Sequence, residues 1–323
     1  MRVSDPERRF AFSLVAGLGL EQDELERLVE RPLRLKLEDI ASHPRLPEAR
    51  KVYFDHFLNV YDGDPFLVRL IIESGRFLVF LLAGVLEAAH DPERRETWAT
   101  VKSLKEQIAL FGFASDRHID TLVKRLCAVG FLQLQPAKQD GRVRILSTTE
   151  KLRAHHREWL AAHYAPLATL YPDHDYGPAM RLDPRFYAVH LSISLPFMPS
   201  AARLMATIPD VMLFFNHAGG SMVMTALLQA AMEAGDPHTA LAYAEVGDRF
   251  GISRTHVRRM LVEAQDAGLV KLHGRGGHQV EILPRFWSSH DRGLAIGMYL
   301  HDASYLAAMK VFEKSGARLL RRA

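Results

Sequence analysis

The segment S-R-T-H-V-R-R (253–259) sets Arg254, Arg258 and Arg259 close together, with no acid before Glu263. Guanidinium groups so placed neutralise phosphates and pair bidentately with guanine O6 and N7. Thr255 adds a donor to a phosphate or a methyl contact to thymine, and His256 lies on the same turns. Arg275 and His278 follow in a glycine-rich stretch, where they can reach an adjacent groove or backbone. A second set of the same type is Ser115, Arg117, His118, Thr121, Lys124 and Arg125, offset by Asp116 and Asp120. Lys138, Arg142 and Arg144 follow it, against Asp140. The expected chemistry is phosphate neutralisation with groove readout of double-stranded DNA, weaker in the 115–125 segment than in 253–259.

Such side chains need a helix to carry them. In 240–250, Leu241, Ala244 or Glu245, Val246 and Phe250 give an approximate helical stripe, and Gly251 stops it. Ser253 can cap the next helix. Val257, Met260, Leu261 and Ala264 then recur at i, i+3, i+4 and i+7, which predicts one buried face, and Gly268 ends the helix. Strand-like segments 269–272 and 279–283 flank a Gly-rich turn. The earlier segment follows the same order, with F-L-Q-L-Q (131–135), Asp140-Gly141 as a type I′ turn pair, and R-V-R-I-L (142–146).

The two segments align without a gap over 115–134 and 253–272, pairing Ser115 with Ser253, His118 with His256 and Gly130 with Gly268. Upstream, 82–92 resembles 227–237, and S-H-P-R-L (42–46) more weakly resembles L-D-P-R-F (182–186). An internal repeat is the economical explanation. Turn formers cluster in 171–184, which divides the chain into an N-terminal helical arm (1–40), repeat one (41–180) and repeat two (181–323).

Helix, turn, capped helix, glycine, strand, tight turn, strand: this order resembles the winged-helix DNA-binding domains, most closely the MarR-type bacterial regulators. The resemblance implies a mainly α fold with small β-hairpin wings, in two tandem winged helix-turn-helix domains. It implies long flanking helices at Phe66–Ala89, Thr149–Leu170, Leu213–Ala234 and Pro284–Lys314. It also implies a transcription regulator, either a pseudo-dimeric monomer or a homodimer, with the apolar helices Phe77–Leu86 and Met222–Met232 forming the shared interface. A plasmid-type replication initiator and a winged-helix protein-interaction module are the alternatives.

Composition sets limits on other readings. Of 323 residues, 48% are hydrophobic and 24% charged, which is ordinary for a globular chain and excludes a disordered one. A net charge of +3 is low for a replication initiator. The single cysteine, Cys127, excludes an intramolecular disulfide framework and a Cys-based zinc site, and reads as a small buried residue. His155, His156 and His163 lack a carboxylate or thiol to complete a metal set and read as solvated. Gly-Arg-Gly-Gly (274–277) sits between strands and is no phosphate loop. No catalytic motif appears in a usable context, so no enzyme activity and no cofactor are expected. Met198, Met205, Met212, Met222, Met224 and Met232, with Phe197, Phe214 and Phe215, read first as core or dimer packing, and second as an adaptable pocket for a small apolar effector. No segment has the form of a signal peptide or a membrane span, so a cytoplasmic location is expected.

Overall fold

The computed structural model describes residues 22–62, 76–111, 116–274, 277 and 279–320. Among them the chain is mainly helical, with two small antiparallel sheets. The first half runs α1 (22–29), α2 (Leu37–Ala41), α3 (Leu46–Asp62), α4 (Arg76–Ala89), α5 (Val101–Ala109), α6 (Asp116–Ala128), β1 (Leu132–Pro136), β2 (Arg144–Thr148) and α7 (Glu150–Leu170). The second half runs α8 (Gly177–Met180), α9 (Pro184–Ser194), α10 (Met198–Ala206), α11 (Pro209–Phe215), α12 (Gly220–Ala234), β3 (His238–Ala240), α13 (Tyr243–Phe250), α14 (Arg254–Asp266), β4 (Val270–His273), β5 (Gln279–Ile282) and α15 (Pro284–Leu320).

The helices that carry the cationic sets form for the reasons their sequences suggest. The Ser253 hydroxyl accepts the His256 backbone N–H at 3.1 Å and so caps α14. Val257, Met260, Leu261 and Ala264 are all buried, as their spacing requires. In α6 the buried set is Ile119, Leu122, Val123 and Leu126. Each helix ends at a left-handed glycine, Gly130 at φ +78° and Gly268 at φ +72°.

The backbone hydrogen bonds that follow are equivalent in the two halves. The Phe131 N–H donates to Leu126 O and the Leu269 N–H to Ala264 O, both at 2.9 Å. Thr149 N–H donates to Phe131 O and Leu283 N–H to Leu269 O, both at 3.0 Å. The sheets differ in size. In the second half β3 pairs with β5, giving the order β3-β5-β4. At the matching place in the first half, the extended Ala99 makes one bond, accepting from Leu146 N–H at 2.7 Å.

Helix packing repeats in the same way when the halves are exchanged. In the first half α3 packs along α7 and against α12 of the second. In the second, α9 packs along α15 and against α4 of the first, while α7 and α15 pack on each other. The weak likeness of 42–46 to 182–186 therefore marks two equivalent helix starts, those of α3 and α9.

Three expectations need correction. The helix expected over 240–250 begins only at Tyr243, because 238–240 form a strand in which Thr239 pairs with Val280; it buries Tyr243, Gly247 and Phe250 while Ala244 and Glu245 face outward. Gly247 is required there, because a Cβ would lie 2.6 Å from the Ile252 carbonyl oxygen. Asp140-Gly141 is not a type I′ turn, since Gly141 lacks a positive φ. Asp140 Oδ1 instead accepts the Arg142 N–H, within a loop closed by Ala137 N–H on Val143 O. The expected helix Leu213–Ala234 is broken into α11 and α12 at Gly219. The apolar helices α4 and α12 each pack on the other half, α4 on α9 and α12 on α3, and they face each other across a cavity. The helices Thr149–Leu170 and Pro284–Lys314 are present within one residue at their starts, whereas 66–75 of Phe66–Ala89 lie outside the described residues.

Residues 22–41, part of the unexplained arm, dock on α15. Leu25, Val29, Leu37 and Ile40 are buried. Arg34 donates to the buried Asp302 at 2.8 Å, and Tyr176 OH donates to the same carboxylate at 2.6 Å. Glu30 pairs with Lys310. Cys127 is half-buried, which pushes its thiol pKa up. Among the described residues no single helix is long and apolar enough to cross a membrane.

Candidate nucleic-acid interface and central cavity

On α14 the side chains of Arg254, Thr255, Arg258 and Arg259 are exposed, on the face opposite the buried stripe. Among the described residues Arg254 and Arg258 have no carboxylate partner. Arg259 is engaged: its guanidinium lies 2.9 Å from His256 Nδ1 and 4.0 Å from Glu263. His256 is half-buried and turned back toward the protein, with Nε2 2.9 Å from the Ala218 carbonyl oxygen. A neutral ring with the proton on Nε2 satisfies both bonds, donating to Ala218 and accepting from Arg259. Burial, the largest cause, lowers its pKa accordingly. His256 is therefore a docking residue of the helix and not an outward one. Arg275 and His278 lie outside the described residues, as does Ser115.

On α6, Arg117, Thr121, Lys124 and Arg125 are exposed, while His118 is half-buried at the position matching His256. Thr121 Oγ1 donates to the Arg117 carbonyl at 3.0 Å. The acids expected to offset this helix are engaged elsewhere. Lys105 of α5 lies 2.9 Å from Asp120 and 3.8 Å from Asp116. Asp140 pairs with Arg95 at 3.1 Å. Lys138, Arg142 and Arg144 of the hairpin are exposed. Local neutralisation of three carboxylates makes the first set more cationic in effect than its sequence suggests.

Between the halves lies a cavity of about 300 Å³. Tyr53, Phe57 and Tyr61 of α3, Leu78, Leu81 and Val85 of α4, and Trp159 of α7 line one side. Met198, Met205, Met222, Met224, Phe197 and Phe215 line the other, so most of the methionine cluster does face a cavity. Met212 and Met232 pack elsewhere in the core, and Phe214 stacks on Phe286 at 5.0 Å.

Six histidines also line it: His156, His163, His190, His217, His290 and His301. This overturns the reading of His155, His156 and His163 as solvated. His155 and His156 are buried, and His163 stacks on His301 with ring centroids 5.0 Å apart and lies tilted against Trp159 at 3.8 Å. His156 Nδ1 bonds Tyr187 OH at 2.7 Å, and His190 Nε2 lies 3.1 Å from Tyr164 OH and 3.2 Å from Ser304 Oγ. Desolvation lowers the pKa of His156, His163 and His190 to about 3 and of His301 to about 4. These four imidazoles are thus uncharged at neutral pH, and the part of the wall they form fits a small apolar or aromatic molecule. The spacing of His156, Trp159 and His163 on one face of α7 was the available signal for it.

One turn joins the cavity to α14. His217 lines the cavity, and its Nε2 lies 2.7 Å from Glu263 of α14. Its neighbour Ala218 accepts from His256 of the same helix. Comparison with protein-family models, with curated proteins and with solved structures finds no match to this chain.

Proposed function

We propose that the chain is a transcription regulator that binds double-stranded DNA through two tandem winged helices, arranged as an intramolecular pseudo-dimer. The carrying observation is that the second helix of each helix pair exposes cations from its first turns, in two stretches whose backbone hydrogen bonds are equivalent. In such motifs that helix enters the major groove and the hairpin reaches the flanking backbone. The exchange of helix partners between the halves supports the pseudo-two-fold arrangement. Because the two cationic sets differ, the DNA site would be an imperfect palindrome.

The cavity between the halves is the place for a small apolar effector. Its occupant would press on the turn at 216–219, and through His217 and His256 on the seating of α14. Coupling of this kind needs the ligand to bind the two seatings of α14 with different affinity.

The test is recovery of genomic DNA fragments by the untagged protein at physiological salt, followed by titration of the enriched sequence between about 50 and 200 mM salt. Log affinity should fall linearly with log salt, by roughly 0.9 per phosphate contact. No enrichment, or a flat salt dependence, would overturn DNA binding and favour the protein-interaction module.

A further inference from the structure

We propose that His238, His273 and Glu281 form a binding site for one divalent ion of the zinc type on the outer face of the three-stranded sheet. Three adjacent strands supply one ligand each. His238 of β3 stands opposite Glu281 of β5, and His273 of β4 lies two residues beyond Lys271, which is also opposite Glu281. Strand alternation puts all three on the face away from the core: Thr239, Val280 and Ile282 are buried between them.

The distances suit a tetrahedral ion. The three ligand atoms lie within 4.8 Å of one another. Glu281 Oε2 is 2.9 Å from His273 Nε2 and 3.8 Å from His238 Nε2. Bonds of about 2.0–2.2 Å around zinc place neighbouring ligand atoms about 3.3 Å apart, so small rotations of exposed side chains close the site. Two imidazoles and one carboxylate leave a fourth position for water or another donor.

The surroundings prepare the ligands. Asp236 Oδ1 lies 3.0 Å from His238 Nδ1. That bond holds the proton on Nδ1 and leaves the Nε2 lone pair for the ion, the arrangement that orients histidine ligands generally. Lys271 lies 3.6 Å from Glu281, but on Oε1, so Oε2 stays with the histidines. Coordination replaces the His273 to Glu281 hydrogen bond, and the His273 proton then sits on Nδ1. The site belongs to one half alone: the matching positions of the first half are Trp98, Gln135 and Ser147, which offer no such ligand set. An ion here would tie β3 to both strands of the hairpin.

The experiment titrates the untagged full chain with Co²⁺, reading the visible absorption of tetrahedral cobalt, then displaces it with Zn²⁺ and counts bound ions by native mass spectrometry. One ion per chain is expected. His238→Ala and His273→Ala should each weaken binding at least about tenfold, and Asp236→Asn about ten- to a hundredfold as a positioning change. Lys271→Gln should strengthen it, whereas His56→Ala, on the exposed side of α3, should not change it. These residues are exposed, and unaltered thermal unfolding of the ion-free variants checks that folding is intact. No tetrahedral cobalt spectrum, or affinity and stoichiometry unchanged in both histidine variants, would overturn the site.

Discussion

Acid should unfold this protein through its cavity histidines. His156 is 2% exposed and His190 7%, and burial lowers each pKa to about 3. An unfolded imidazole takes up its proton near pH 6.5. The folded value lies below the unfolded one, so each group's contribution is fully present above about pH 6.5 and is lost progressively as pH falls toward 3. At pH 5 the unfolded state gains a factor of about 30 from each proton it binds and the folded state does not, or roughly 2 kcal/mol per histidine. Both together remove about 4 kcal/mol from a stability ordinarily of about 5–15. Urea unfolding at pH 7.5 and pH 5 measures the loss. His156→Gln retains a partner for Tyr187 but cannot titrate, so its stability should change less between the two pH values, by about 2 kcal/mol. Equal pH dependence in the wild type and in this variant would refute the reasoning. An apolar ligand that fills the cavity and keeps these rings dry should protect against acid.

Arg254→Ala and Arg258→Ala should each weaken DNA binding by about 1–3 kcal/mol if they meet base edges, measured by fluorescence anisotropy. Arg259→Ala should cost less, because His256 and Glu263 already hold that side chain; an equal or larger loss would contradict this division. Replacing Asp116 and Asp120 together by Asn frees Lys105 and should tighten DNA binding at low salt, and weaker binding would count against a role for α6. Asp302→Asn leaves Arg34 without its charge partner and should destabilise the docking of residues 22–41 on α15 by on the order of 3 kcal/mol. Urea unfolding and limited proteolysis near Arg34 check it, and unchanged stability would show that the pair does not hold the arm.

Much of the helix architecture was readable because its signals are local. The Ser253 cap, the i, i+3, i+4, i+7 burial of α14 and the glycines at 130 and 268 each depend on a few neighbouring residues. The 238–240 strand escaped for the opposite reason. Three residues carry almost no periodicity, and only pairing with Val280, forty-one positions on, makes them a strand. The Asp140-Gly141 turn failed because loop length and the Asp140 side-chain bond outweigh the dipeptide's preference.

The candidate site divides along the same line. That Arg254, Thr255, Arg258 and Arg259 on α14 and Arg117, Thr121, Lys124 and Arg125 on α6 face outward follows from helical periodicity, but His256 and His118, expected beside them, are half-buried. Which of those charges are free did not follow. Lys105 reaches Asp120 across a helix pair, and His256 reaches Ala218 across thirty-eight positions, through a turn that exists only in the packed state. Histidine spacing likewise said nothing of solvent. His156 and His163 became dry, neutral cavity walls because α3, α7, α9 and α15 converge around them. Periodicity is a property of one segment, whereas desolvation and charge pairing depend on what other segments bring near, and this the tertiary structure alone decides.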